Sequence, residues 1–274
     1  MAFIITFIAL LVERFFDWSH VRRWRWFGKC LQVINQRMGG WPTWLLLALA
    51  VVPPVLIVGV LNHYLAGVLY GVLKLLFGLF MLIYCLGPAN FWAQAYQCLG
   101  VQASDDLTLA FDRARSAFGV VVCDSPQAFH RAFTNALFVE ANRRVFAVLF
   151  WFIVAGPAGA LLYRLLDVSR ASGLTLARPA EMLLGWLDWF PVRLFTLCFA
   201  LGGHFTKVIQ HWRHDVLTWP KMNNILLSEC GVASLDVLEA ERIPEDGTAE
   251  KETLHLLDRV FVIALVVVAI VVLA

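Results

Sequence analysis

The charged residues that interrupt apolar stretches are the part of this sequence best able to do chemistry. Asp188 and Arg193 lie within the apolar run from Met182 to Gly202, and Pro191 lies between them. Ionisable groups are costly in hydrocarbon, so they normally face one another or a water-filled cavity. Because proline removes a helical hydrogen bond, we predict a helix break at Pro191 that could turn both side chains towards one polar ligand. A structural ion pair and interfacial snorkelling are the plainer interpretations of these residues.

Three further charged residues lie near the ends of apolar stretches. They are Glu13, Arg14 and Lys74. Together they could line a polar cavity, or their long side chains could reach the membrane surface from nearby helix ends. We therefore include them among the candidate ligand-binding residues.

A helix start signal precedes the longest helical pattern outside the apolar runs. Ser125 and Asp124 are capping residues, and Pro126 suits the first helical position because its missing N–H has no helical partner there. The pattern then continues into the apolar run at Val145. Asp124 is also a candidate ligand residue.

The predicted helix from Pro126 carries a polar stripe. Arg131 and Asn135 share one of its faces, which could bind phosphate or merely face water. Glu140 and Arg144 are spaced four residues apart, as in a helix-surface ion pair. Arg131, Asn135 and Glu140 complete the candidate ligand-binding set.

No motif in the sequence predicts a catalytic residue or a metal site. There is no HExxH, no serine elbow and no P-loop. The six cysteines contain no C-x-x-C pair, and His204, His211 and Asp215 are too loosely spaced to predict zinc. We expect no cofactor, and Mg²⁺ with a nucleotide would need another scaffold.

Apolar runs long enough to cross a bilayer position these residues. A span needs about 20 predominantly apolar residues, and the composition agrees, with 60% hydrophobic and 15% charged residues and a mean hydropathy of +0.72. A first helix from Ala2 is expected to continue towards Trp18. We predict an all-α, polytopic bundle of six transmembrane or membrane-embedded helices with helical cytoplasmic segments. The other five runs are Thr43 to Leu61, Leu65 to Leu86, Val145 to Leu166, Met182 to Gly202 and Val260 to Ala274.

Lysine and arginine alternate between the connecting segments, which indicates orientation because basic segments stay on the cytoplasmic side. Both termini should then face outside. Residues 1–203 are expected to form five spans with a cytoplasmic helical insertion at 88–144. Residues 204–258 should form a cytoplasmic amphipathic helix followed by an acidic linker, with Glu239 to Glu252 solvated, and residues 259–274 a last transmembrane helix. The formal net charge of +2 gives no indication of nucleic-acid binding, and the local basic residues could contact membrane lipid.

Glycines recur on the faces of two predicted spans. Gly67, Gly71 and Gly78 share one face, and Gly156 and Gly159 open the next span. Small residues let helices approach closely in lipid. We expect them to mediate packing inside the bundle, with a homodimer contact as the alternative.

Two stretches resemble the paired motifs of the AmpE branch of the CobD/CbiB membrane family. They are FWFIVAGPAGALLYR at Phe150 to Arg164 and LDWFPVRL at Leu187 to Leu194. Weaker matches are VERFF at Val12 to Phe16, LAFDRARSAF at Leu109 to Phe118, and HRAFTNALFVEANRR at His130 to Arg144.

The AmpE resemblance implies a multi-pass protein of the bacterial inner membrane, linked to β-lactamase induction and cell-wall fragment recycling. It implies the AmpD amidase or a small cell-wall-derived molecule as partner. We therefore expect a regulatory or accessory protein that binds a polar ligand or partner, and we favour this role over an enzymatic one.

Two alternatives stay open. The CobD/CbiB relatives are ATP-dependent amide-forming enzymes, which carry a glycine, arginine and aspartate run where this chain has Val122, Cys123 and Asp124. They also carry two glutamates in the following helix, where this chain has Asn135 and a lone Glu140. These departures weaken the expectation of such catalysis. A small transporter is the second alternative, suggested only by the predicted break at Pro191.

Overall fold

The computed structural model describes residues 2–15, 24–65, 71–87, 90–102, 107–120, 125–217, 219–235 and 247–273. Within these ranges the regular elements are all helical, which confirms the predicted all-α class. The helices are α1 (Ala2–Phe15), α2 (Arg25–Arg37), α3 (Thr43–Tyr64), α4 (Val72–Cys85), α5 (Phe91–Gln102), α6 (Leu107–Phe118), α7 (Pro126–Ala141), α8 (Ala147–Ala171), α9 (Ala177–Gly202), α10 (Phe205–Asp215), α11 (Asn223–Ala233) and α12 (Thr248–Leu273). A π-helical turn, Asn142–Phe146, joins α7 to α8.

Four helical stretches of the described chain are long and apolar enough to cross a membrane. They are Thr43–Tyr64, the long run Pro126–Ala171, Ala177–Gly202 and Thr248–Ile270. Val72–Cys85 is a shorter apolar helix. A membrane-resident helix bundle is therefore the architecture of this protein.

Three helix boundaries differ from the sequence expectation or lie beside residues that are not described. α4 begins only at Val72, because Gly71 has a left-handed φ of +84° that no regular helix contains. α12 begins at Thr248, so Glu250 and Glu252 are helical instead of lying in a solvated linker. The expected continuation of the first helix to Trp18 and the position of Gly67 lie outside the described residues.

The chain divides into two compact units, each formed by two separate segments. The first unit comprises Met1–Asn90 and Ala147–Asp188, and the second comprises Phe91–Phe146 and Trp189–Ala274. In the first unit α8 packs against α3 and α4, and α4 packs against α1. The cytoplasmic and membrane boundaries expected at residues 203 and 258 stay predictions.

Gly78 makes the close packing in the first unit possible. A Cβ atom at this position would lie 3.1 Å from Cδ1 of Ile5 on α1 and 3.6 Å from Cζ of Phe152 on α8. A larger residue would therefore push these helices apart. This is the packing role expected for Gly78.

The helix break lies in α8, not in α9. Gly156 has φ +66° and ψ −158°, a conformation that is essentially restricted to glycine, and Pro157 follows it. The distorted turn brings the Trp151 carbonyl so close to Gly159 that a Cβ there would lie 2.5 Å from its oxygen. These two glycines therefore form a turn inside the span.

The predicted break at Pro191 is wrong. α9 remains helical from Ala177 to Gly202. Proline at 191 provides no N–H for the Leu187 carbonyl, and the indole N–H of Trp151 donates to that oxygen instead, at 3.3 Å. The lost helical bond is thus replaced, and the transporter hypothesis loses the break on which it depended.

α7 is the centre of the second unit. α5, α11 and α12 pack against it, and Phe129, Phe133 and Phe138 are buried. Gly231 of α11 lies against Phe138 so closely that a Cβ would be 2.6 Å from the ring. The first half of α12 is buried in this core, whereas Val262, Val266 and Ile270 in its second half are exposed.

Candidate functional site

Three buried arginines donate to carbonyl oxygens at the ends of other helices. Nε of Arg164 lies 2.6 Å from the carbonyl oxygen of Cys85, the last residue of α4. Nε of Arg193 lies 2.9 Å from that of Val216, the C-cap of α10. Arg144 donates to the carbonyl of Ala117 near the end of α6. The last carbonyls of a helix lack helical donors and carry partial negative charge, so a guanidinium there satisfies both needs.

Arg164 belongs to a charged network of the first unit. One of its terminal nitrogens, Nη1, lies 2.8 Å from Oδ2 of Asp167, and Nη2 of Arg170 lies 2.8 Å from Oδ1 of the same carboxylate. Arg164 is not among the ligand residues predicted from the sequence, although it is an arginine in a predicted span. Its charge could have been the signal.

Asp188, a predicted ligand residue, is buried in the first unit. The hydroxyl of Tyr163 donates to its Oδ1 at 2.7 Å. Asp188 thus fixes α9 to α8. A role in ligand binding stays a prediction.

Arg193, the second predicted ligand residue, belongs to the second unit and is buried. Besides Val216, it donates to the carbonyl oxygen of Trp189 at 2.9 Å and to the side-chain oxygen of Asn223. Its guanidinium carbon lies 4.5 Å from the centre of the Trp189 ring, which adds a cation–π contact. Arg193 therefore holds the α10–α11 connection to α9.

The ion pair expected between Glu140 and Arg144 is present, but it is part of a larger, half-buried cluster. Nε of Arg144 lies 2.6 Å from Oε2 of Glu140, and its Nη1 lies 2.7 Å from Oε1 of Gln94. Arg143 binds the other carboxylate oxygen of Glu140 at 3.1 Å. This cluster connects α5, α6 and α7.

The remaining predicted ligand residues are more accessible or lie outside the described part. Arg131 is exposed and Asn135 half-buried on α7, and Lys74 is exposed on α4. Glu13 and Arg14 lie in the last turn of α1, but their side chains are outside the described residues, as is Asp124 entirely.

A buried pair that the sequence analysis missed connects α7 to α12. Nδ1 of His130 lies 2.7 Å from Oε1 of Glu250, and both side chains are almost fully buried. The apolar neighbours of His130 were a weak signal. Glu250 gave none, because its acidic surroundings indicated a solvated segment.

Two described cysteines of the second unit, Cys98 and Cys230, are unsuited to nucleophilic chemistry. Burial, assisted by the negative charges of Glu229 and Asp215, raises the pKa of Cys230 to about 12. Burial also raises the pKa of Cys98. Because the thiolate is the nucleophile, both thiols are poor nucleophiles at neutral pH. Within the described ranges no three His, Cys, Asp or Glu side chains form a group that could hold a metal ion.

Comparison with known families decides the affiliation. The whole chain, residues 1–274, matches the family described as "Regulatory signalling modulator protein AmpE". The chain belongs to the AmpE family. The resemblance of its motifs to AmpE is thereby confirmed, and the family description supports a regulatory membrane protein more than an enzyme.

Curated relatives include both AmpE and CobD proteins. Protein AmpE of Shigella flexneri is 30% identical over 162 residues, which cover 54% of this chain and 57% of that protein. The cobalamin biosynthesis protein CobD of Stutzerimonas stutzeri is 33% identical over 117 residues, or 39% of this AmpE-family chain and 38% of CobD. The CobD protein of Chromobacterium violaceum is 33% identical over 118 residues, which cover 39% of this chain and 36% of that protein. The alignments thus span well under two thirds of these relatives, and no solved structure matches the chain.

Proposed function

We propose that this AmpE-family protein is an accessory regulator of β-lactamase induction in the bacterial inner membrane. In this proposal it responds to a polar fragment released from the cell wall or to the AmpD amidase. Two findings support it: the family match extends over the whole chain, and four helical stretches could cross a membrane. The cell-wall context is what the AmpE resemblance implies.

The accessibility of Arg131 and Asn135 on α7 carries the ligand-binding part of the proposal. These two side chains are one helical turn apart on a face that is at least partly exposed, whereas Phe129, Phe133 and Leu137 bury the opposite face. An exposed guanidinium beside an amide suits a carboxylate or phosphate group, because charged hydrogen bonds are the stronger ones. We therefore assign the first contact with an anionic ligand to Arg131 and Asn135.

Three other candidates are engaged by protein groups. Asp188 accepts from Tyr163, Arg193 donates to backbone carbonyls, and Glu140 binds two arginines. In this proposal each of them stabilises the helices of its own unit and does not contact the ligand.

The test is induction and binding with Arg131→Ala and Asn135→Ala. In a host whose own copy is deleted, we expect Arg131→Ala to reduce β-lactamase induction and to weaken binding of a purified muropeptide about tenfold, with a smaller effect for Asn135→Ala. Lys251→Ala, which removes an exposed cation on α12, is the matched control and should leave both unchanged. Wild-type induction and affinity in both α7 variants would overturn the assignment.

An amide-forming enzyme of the CobD type is the alternative, and the 33% identity to two CobD proteins favours it. Purified protein that bound Mg²⁺ with ATP, and consumed the nucleotide when given a carboxylate and an amine, would support the enzyme. A regulator should do neither. Calorimetric titration of the full chain with Mg²⁺ and ATP separates the two.

A further inference from the structure

α10 and α11 form a helical hairpin that folds back along α9. Its two ends meet at the end of α9, where the backbone N–H of His204 donates to the carbonyl of Ser234 at 3.4 Å. Gly203 lies so close to Ser234 that a Cβ there would clash with that carbonyl. α10 and α11 pack against each other along their lengths.

The tip of the hairpin, residues 215–217 and 219–223, lies beside the interior of α9 and not beyond its end. Arg193 holds it there through Val216 and Asn223. Arg193 precedes Gly202 by nine residues, or about 13 Å of helix. The hairpin therefore points back along a helix that is long and apolar enough to cross a membrane.

The tip exposes large apolar side chains. Leu217 is 84% exposed and Trp219 is 76% exposed, and about half of Met222 is exposed. On α9, Phe190 and Leu194 flank Arg193 and are exposed as well. The apolar surface of the tip is thus at the same level as an exposed apolar part of a candidate span, which is what a lipid-facing surface requires.

Charged residues beside the tip indicate how deeply the tip would lie in a membrane. Arg213 is exposed at the end of α10, and the side chain of His214 is 86% exposed, where it pairs with Asp215 at 2.9 Å. Such groups are unfavourable in the bilayer centre but common at its surface, where tryptophan is also enriched. The composition of the tip therefore fits the boundary between headgroups and acyl chains.

We propose that the α10–α11 tip is a membrane-interface anchor. Leu217 and Trp219 enter the boundary region of the leaflet beside α9, and Arg213 contacts anionic phospholipid headgroups. A bilayer explains the surface better than a partner protein, because the tip is tied by Arg193 to a helix that is itself long and apolar enough to cross a membrane. The proposal does not depend on the regulatory function proposed above.

The test places a nitroxide label at position 217 of the full-length protein. The background carries Cys30→Ser and Cys123→Ser, since the other four cysteines, Cys85, Cys98, Cys198 and Cys230, are buried. Leu217→Cys is compared with Gln210→Cys, an exposed position on α10 of the same hairpin. In vesicles with about one third phosphatidylglycerol, we expect the label at 217 to collide more with oxygen than with a water-soluble nickel chelate, and the label at 210 to do the reverse.

Several outcomes would overturn the proposal. One is equal accessibility to the nickel chelate at positions 217 and 210. Another is spin–spin broadening at 217 that grows with protein concentration, which would mean that a second copy covers the tip. Arg213→Gln tests the headgroup contact. With Arg213 present, the depth of the label at 217 should differ between anionic and pure phosphatidylcholine vesicles, and Arg213→Gln should abolish that difference. An unchanged difference would remove this part of the proposal.

Discussion

α8 and the second half of α9 each contain a proline and a buried arginine in an apolar stretch, but they use them differently. In α8, Gly156 and Pro157 break the helix, and Arg164 binds a carboxylate as well as a carbonyl. In α9 the helix continues through Pro191, and the acceptors described for Arg193 are neutral.

The residue before each proline explains why α8 is broken and α9 is not. Pro157 follows a glycine that can adopt a positive φ, whereas Pro191 follows Phe190, which adopts that conformation only with strain. The cost of losing a buried arginine should likewise depend on which acceptors are left without a donor. A buried carboxylate that loses its donors costs more unfolding free energy than a buried carbonyl that does.

Arg164→Met should have the largest effect. It removes one of the two arginines that bind Asp167, and a donor to the Cys85 carbonyl, from a buried site, which costs about 2 to 4 kcal/mol of unfolding free energy. The measurement is the thermal unfolding midpoint in detergent. Arg170→Met is the control, because Arg170 pairs with the same carboxylate but is more exposed, and it should cost under about 1 kcal/mol. Equal losses in the two variants would contradict the comparison.

Gly156→Ala should come next. Alanine at φ +66° and ψ −158° is strained by about 1 to 3 kcal/mol, or else straightens α8. Pro191→Ala should change stability by less than about 1 kcal/mol, because improved helix propensity offsets lost burial. Midpoints of both variants, measured in the same detergent, test this order. A larger loss for Pro191→Ala would mean that α9 needs its proline.

Arg193→Met should cost about 1 to 2 kcal/mol, since it leaves carbonyl and amide acceptors without a donor but no unpaired carboxylate. This loss of stability should be confined to the part of the α10–α11 hairpin that Arg193 contacts. Amide hydrogen exchange should increase around Val216 and Asn223 while the core of α7 stays protected. Arg193→Lys should restore part of the protection, and uniform exchange throughout the second unit would argue against a local clamp.

Tyr163→Phe should have the smallest effect. It removes the hydroxyl that donates to Asp188 and costs about 1 kcal/mol, again read from the unfolding midpoint. Tyr84→Phe is the control, because its hydroxyl accepts from Trp26 at an exposed position and should be near neutral. If both tyrosine variants unfold like the wild type, Asp188 has other sufficient donors.

Hydropathy and local signals predicted much of the architecture. The apolar runs indicated the helix bundle, and the signal at Ser125 and Pro126 matches the start of α7, where the Ser125 hydroxyl accepts from the N–H of Ala128 at 3.2 Å. The Glu140 and Arg144 pair also follows from its spacing. These features depend on neighbours within one or two helical turns, so the sequence carries them directly.

The contacts of the site residues were not predictable in the same way. Arg164, Arg193 and Arg144 bind backbone carbonyls, which every residue has and no residue type marks. His130 and Glu250 are 120 positions apart and meet only when α12 packs on α7. Such partners are set by tertiary packing and leave no local pattern.

The position of α12 in the core of the second unit has a consequence for biosynthesis. His130 on α7 and Trp92 on α5 both bind side chains of α12, Glu250 at 2.7 Å and Asp258 at 2.7 Å. Until these late residues have emerged from the ribosome, the earlier helices of the unit have an open apolar face. The second unit can therefore complete its core only after α12 has been synthesised, and the helices that precede α12 must be shielded until then.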